Sequence, residues 1–307
     1  MNNAPATPTT VDWIALILLG LVWGASFLGV AIALEGYGPL AVAAGRIGLA
    51  AVALWGVARA LGDGLPGLRS PEGRRVWAFA TAMGVFSNAV PFFLLSWGMQ
   101  HVTSGFAGIT MAAVPIFVLV LAHFFLPGET LNWRRLAAFA LGIAGVALLI
   151  GPDAFASGGS DAEGLARLAC LLATACYAVG SIFTRLCPPV SLVSLSAAAL
   201  IMAAAMIVPA ALLIEGLPDS LPSARATLAL VYLGLGPTAL ATLLLVRVIR
   251  GAGPGFLTQV NYHVPVWSVI FGVTILAEPL PPQFLVALGL IMAGLFVGRA
   301  KAWRRRP

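Results

Sequence analysis

The chain has 307 residues, of which 60% are hydrophobic and only 9% charged, and its mean hydropathy is +1.00. A soluble domain so poor in charge could not cover its own surface, and long apolar runs of about 20 residues each point to transmembrane helices. Those runs are continuous rather than alternating, which excludes a β-barrel. The formal charge of +6 is spread between the runs, so membrane topology explains it better than nucleic-acid binding does.

Ten spans can be drawn. The first five are Trp13–Leu34, Leu40–Leu61, Val76–Trp97, Ser104–Leu126 and Arg135–Ile150. The second five are Leu165–Leu186, Leu192–Ile214, Thr227–Val248, Pro254–Leu276 and Gln283–Val297. Even-numbered exits are basic: Arg59, Arg69, Arg74 and Arg75, then Arg134 and Arg135, Arg185, Arg247 and Arg250, and the cluster from Arg299 to Arg306. Odd-numbered exits carry Glu35, His101, Asp153, Asp161, Glu163, Glu215, Asp219 and Glu278. Positive charge stays inside, which places both termini in the cytoplasm of a multi-pass inner (plasma) membrane protein. No cleaved leader is expected, since the first twelve residues lack Lys and Arg and the first apolar run continues too far. Cys170, Cys176 and Cys187 show no metal spacing and read as small packing residues.

A shift of 150 residues superposes Gly84 on Gly234, Ala89 on Ala239, Gly105-Phe106 on Gly255-Phe256 and Pro115 on Pro265. Each half holds five spans, an odd number, so the halves insert in opposite directions. The units are residues 13–150 and 165–299, joined by an external linker at 151–164. Inverted repeats of this kind belong to secondary transporters, whose substrate sites lie near the midplane between the repeats. Pro115 frees the carbonyl of Met111 and Pro265 that of Asn261, because proline has no N–H to donate four residues back. Around Pro265 stand Gln259, Asn261, Tyr262 and His263, a polar concentration at membrane depth that reads as the lining of a solute pathway.

Leu21-Val22-Trp23-Gly24-Ala25-Ser26-Phe27 in span one and Cys176-Tyr177-Ala178 in span six form a repeated aromatic motif. With Gly108 to Pro115 and a later Glu129, and Leu257 to Pro265 and a later Glu278, the chain resembles the drug/metabolite transporter superfamily. Within it the likeness is to ten-helix EamA-type exporters, most of all the YddG-type aromatic amino acid exporters. The resemblance implies two five-helix halves around a central cavity, spans five and ten at the periphery, and small amphipathic metabolites as substrates.

The expected substrate wall is Trp23, Asn88, Phe92, Tyr177, Asn261, His263 and Trp267. Each residue has two readings. His263 is either a neutral imidazole bonded to a helix carbonyl or a substrate contact and proton relay. Asn88 and Asn261 either join helices or bond a zwitterion. The aromatics either pack or wall an apolar pocket. Thr238 is the repeat counterpart of Asn88. Arg46, inside span two, either makes a structural pair or holds a substrate carboxylate. Glu129 and Glu278 are expected at the entries to spans five and ten, favoured by the helix dipole, or as gates, with Pro115 and Pro265 as structural or gating breaks.

Absences narrow the class. The chain has no nucleotide-binding loop, no zinc-protease or serine-hydrolase motif, and no lysine or paired carboxylates within the spans. No enzyme, cofactor, metal, nucleic acid or obligatory protein partner is therefore expected; the partners are the bilayer and a small solute. The expected function is export of neutral amino acids with aromatic or large apolar side chains. Other metabolites or drugs, a channel and an intramembrane enzyme are the alternatives.

Overall fold

The computed structural model describes residues 8–126, 133–151, 162–218 and 220–299, and every regular element among them is helical. Thr9 opens α1 (Thr10–Ala33) with a reciprocal cap: its hydroxyl accepts from the Asp12 N–H, and the Asp12 carboxylate accepts from the Thr9 N–H at 3.0 Å. α2 (Pro39–Ala60) follows Gly38 and has no local side-chain cap. Ser70 caps α3 (Pro71–Met83), and Ser223 caps α10 (Ala224–Leu233). Both helices therefore begin earlier than their apolar runs, because hydroxyl caps rather than hydropathy set the first turn.

α3 passes through a π-helical turn, Gly84–Ala89, into α4 (Val90–Gly98); α10 passes through another, Gly234–Leu240, into α11 (Ala241–Ala252). α5 (Ser104–Thr110) joins α6 (Val114–Phe125) through a tight 3₁₀ turn at Met111–Ala113. There the Val114 N–H donates to Met111 O, so the carbonyl that Pro115 cannot serve is taken one residue early. α7 (Trp133–Ile150), α8 (Ala162–Leu186) and α9 (Leu192–Ile214) follow. Among the described residues, eight helical stretches are long and apolar enough to cross a membrane, and a shorter apolar helix lies at Pro282–Gly298.

The expected ninth span is divided, and not where its proline predicts. α12 (Pro254–Leu257) is separated from α13 (Val260–Ile275), and α13 runs on through Pro265. The break lies at Thr258–Gln259, where Gln259 N donates to Phe256 O at 3.1 Å and Tyr262 N to Gln259 O at 3.0 Å. These bonds reach back three residues rather than four, which tightens and bends the chain before the proline is reached. α14 (Pro282–Arg299) ends the described chain.

α2 packs on α9, α7 on α14, α8 on α4 and α6, and α1 on α13, α10 and α11. Between apolar helices in lipid, close approach of backbones replaces the hydrophobic drive as the source of cohesion. α1 shows how close. A Cβ added at Gly20 would lie 2.6 Å from His263 Cβ, and one at Gly24 would strike Trp267 Cβ and come within 3.1 Å of Val264 O. Only glycine admits α13 at that separation. Gly24→Leu should therefore push α13 away and destabilise the protein by about 1–3 kcal/mol, read as a lower melting temperature in detergent. Gly48→Leu, on α2 with nothing within 4 Å of an added Cβ, should change little.

Candidate substrate site

The site begins with a missing donor. Pro237 has no N–H, so Leu233 O loses its helical partner four residues on. The Thr238 hydroxyl supplies one instead, donating to Leu233 O at 2.8 Å across the π-helical turn. In the other π-helical turn, 150 residues earlier, Asn88 Nδ2 donates to Met83 O at 3.2 Å with the same five-residue reach. Each turn lies hard against a neighbouring backbone. A Cβ at Gly84 would sit 2.7 Å from Ala199 O on α9, and one at Gly234 would sit 3.2 Å from Arg46 O on α2.

With its proton given to Leu233 O, the Thr238 oxygen is left to accept. Arg46 Nε, from α2, donates to it at 2.8 Å. The guanidinium carbon lies 3.8 Å from the centroid of the Phe92 ring, and Phe92 and Tyr177 stand 6.4 Å apart. Trp23 Nε1 donates to Pro237 O at 3.1 Å, so α1 is tied to the same turn. Four expected residues, Trp23, Arg46, Phe92 and Tyr177, thus converge with Thr238, and Asn88 lies one helical turn before Phe92.

Arg46 is only 7% exposed and has no acidic partner among the described residues; what it pairs with is the Thr238 hydroxyl and the Phe92 ring. A cation–π contact stabilises by about 0.5–2 kcal/mol, and a hydrogen bond to a charged group by about 1.5–3 kcal/mol. Desolvating an ion costs several kcal/mol. The two contacts at best match that cost, and they leave the charge itself unneutralised.

The remaining wall residues lie elsewhere. Asn261 Nδ2 donates to Thr258 O at 3.1 Å, holding the break between α12 and α13. The Cβ atoms of His263 and Trp267 pack on Gly20 and Gly24, and the Trp267 ring stacks on Phe271 at 5.7 Å. The His263 imidazole makes no hydrogen bond among the described residues, so the carbonyl-bonded form is not observed. Among those residues no hydrogen bond or ring contact joins the three to the Arg46 cluster.

Glu278 is a cap, but of α5 and not of α14. Its carboxylate accepts from Ser104 N and Oγ, each at 2.8 Å, and from Gly105 N at 3.1 Å. Ala277, in the left-handed region at φ 54°, turns the chain toward α5. Glu129 lies outside the described residues. A second cap was missed in sequence: Glu215 accepts from Leu40 N and Ala41 N at 2.8 Å each, at the start of α2. The signal was an uncapped Gly38-Pro39 start whose free N–H groups needed an acceptor from elsewhere. At the start of α1, Asp12 pairs with Arg247 at 3.0 Å. Glu278→Ala should free the first turn of α5 at a cost of about 0.5–2 kcal/mol. Hydrogen exchange at the Ser104 and Gly105 amides should rise first.

A crystal structure 22% identical in sequence superposes on this chain with a TM-score of 0.68, covering 96% of this chain and 99% of that one, so the two share a fold. The probable terminal-alkyne amino-acid exporter of Streptantibioticus cattleyicolor is 29% identical over 298 residues, covering 95% of each chain. The uncharacterized inner membrane transporter YedA of Escherichia coli K12 is 28% identical over 283 residues, covering 91% of this chain and 87% of its own. The model of the EamA-like transporter family matches residues 12–151 and 164–298. Those two blocks leave out little but the ends and the linker: the chain belongs to the EamA-like transporter family and is a membrane transporter, not an enzyme.

Proposed function

We propose that the protein is an inner-membrane secondary transporter that exports neutral amino acids with aromatic or large apolar side chains. One observation carries the reading. Trp23, Arg46 and Phe92, from the first half of the chain, meet Tyr177, Pro237 and Thr238, from the second, beside two helices bent by π-helical turns. Aromatic surface supplies affinity for an apolar side chain, and a few polar groups orient the polar end. The named activity of the Streptantibioticus relative supports an amino acid as cargo, and the name of the Escherichia relative supports the inner membrane.

In this reading the chain crosses ten times, in inverted units 13–150 and 165–299, with both termini cytoplasmic and 151–164 outside. The 150-residue spacing of the π-helical turns supports the repeat. Alternating access comes from the two halves moving about the cluster. The acidic residues of the described helices, Asp12, Glu72 and Glu163, all stand in first turns. With no carboxylate at mid-depth to titrate, transport runs down the solute gradient.

Proteoliposomes loaded with unlabelled phenylalanine or methionine should take up the labelled amino acid by saturable counterflow, and His263→Gln should leave this intact. A preference for quaternary cations or phosphorylated sugars would overturn the substrate. A reporter fused after Pro307 should work only in the cytoplasm and one within 151–164 only outside; reversed signals would overturn the topology.

A further inference from the structure

Arginine is a permanent cation with five donors in a planar fork. In Arg46 only one of them is spent, on Thr238. The Phe92 ring covers the face of the fork, and Tyr177 stands beside that ring. The two Nη atoms have no partner among the described residues. Neither are they sealed in, because no buried side-chain nitrogen or oxygen there lacks a hydrogen bond. Such a donor opens onto space outside the protein's own packing, and a cation there calls for a polar occupant rather than a hydrocarbon chain.

We infer that Arg46 is an anion subsite whose two Nη atoms take the carboxylate of the transported solute. The inference rests on the transport reading above and names which end of the solute is read by charge. The site is built for a plane. Pro237 directs the Thr238 proton to Leu233 O, the Thr238 lone pair holds Nε, and Phe92 fixes the orientation of the fork. The free edge matches the two oxygens of a carboxylate, which arginine binds through parallel hydrogen bonds. One guanidinium neutralises one charge, so a monocarboxylate fits where a phosphate dianion would carry surplus charge into low dielectric.

The same geometry makes the amine dispensable. Asp12 and Arg46 are the only charged residues buried among those described, and Asp12 is at the start of α1 with Arg247. Among the described residues no carboxylate faces the cluster to hold an ammonium group. Recognition therefore reads the acid and the apolar side chain, and tolerates loss or acylation of the amine.

The test uses purified full-length protein in detergent and reads the melting temperature with probes that differ only in charge. Phenylalanine, 3-phenylpropionate and N-acetylphenylalanine should each raise it, while phenethylamine and phenylalaninamide should not. Arg46→Met should fold with an unliganded melting temperature at or above that of the parent, since a buried unpaired charge is replaced by an apolar chain of similar length. It should lose the carboxylate response. Arg46→Lys, which keeps the charge but not the fork, should weaken it by about tenfold or more. Stabilisation by phenethylamine, no response to 3-phenylpropionate, or a carboxylate response that survives in Arg46→Met would each overturn the subsite. Should Arg46→Met not fold, the parent's probe pattern and Arg46→Lys still decide. A carboxylate response without phenylalanine counterflow would sink the amino-acid reading alone. Counterflow with an unaltered carboxylate response in both variants would sink the subsite alone.

Discussion

A single absent proton arranges the middle of this molecule. Pro237 cannot donate to Leu233 O, and an unserved carbonyl away from water costs about 1–3 kcal/mol. In lipid no water is at hand to repair it. The chain winds wider at that point and brings Thr238 round to donate from its side chain. Everything else in the cluster follows from where that hydroxyl then stands. Its proton is committed, so its oxygen accepts; Arg46 meets it from α2, and Trp23 from α1 bonds the Pro237 carbonyl beside it. Three helices are held by one repaired turn.

The turn at Gly84–Ala89 solves a related problem with a different residue. Asn88 reaches back five residues as Thr238 does, but its remaining oxygen is an amide oxygen, a stronger acceptor on a longer arm. Position 88 and position 238 thus share a structural task and differ in what they offer inward. Arg46 is matched to the second of them. That asymmetry between the halves is what a polar solute would meet, and it arises from one residue difference at one spacing.

Much of this was legible in the chain. Apolar runs marked the helices, and Thr9, Ser70 and Ser223 sharpened their starts once hydroxyl caps were weighed beside hydropathy. Trp23, Phe92 and Tyr177 were expected in one wall, but nothing in the sequence placed Arg46 against them. What escaped was how broken bonds are mended. A proline announces that a carbonyl will be freed, but the mending group depends on which side chain lies within reach. At Pro115 it is a backbone N–H one residue early, and at Pro237 a hydroxyl one residue late. At Pro265 the helix simply continues, and the chain bends instead at Thr258–Gln259. The caps from Glu215 and Glu278 escaped for another reason. They join positions about 174 residues apart, and nothing local to α2 or α5 says which acid will arrive.

These caps matter for the centre as well as for the ends. Acidic groups are drawn to helix N-termini, where free N–H groups and the helix dipole both favour them. Glu215 and Glu278 are spent in that way, Asp12 caps its own helix and meets Arg247, and Glu163 meets Arg167 one turn on. The described acids named here are thus committed at the periphery, and Arg46 stays without one in the interior. A field of one sign at the centre follows from the satisfaction of the helix ends. If the solute binds at this cluster, as proposed, the architecture that stabilises the helices also sets the charge the solute must bring.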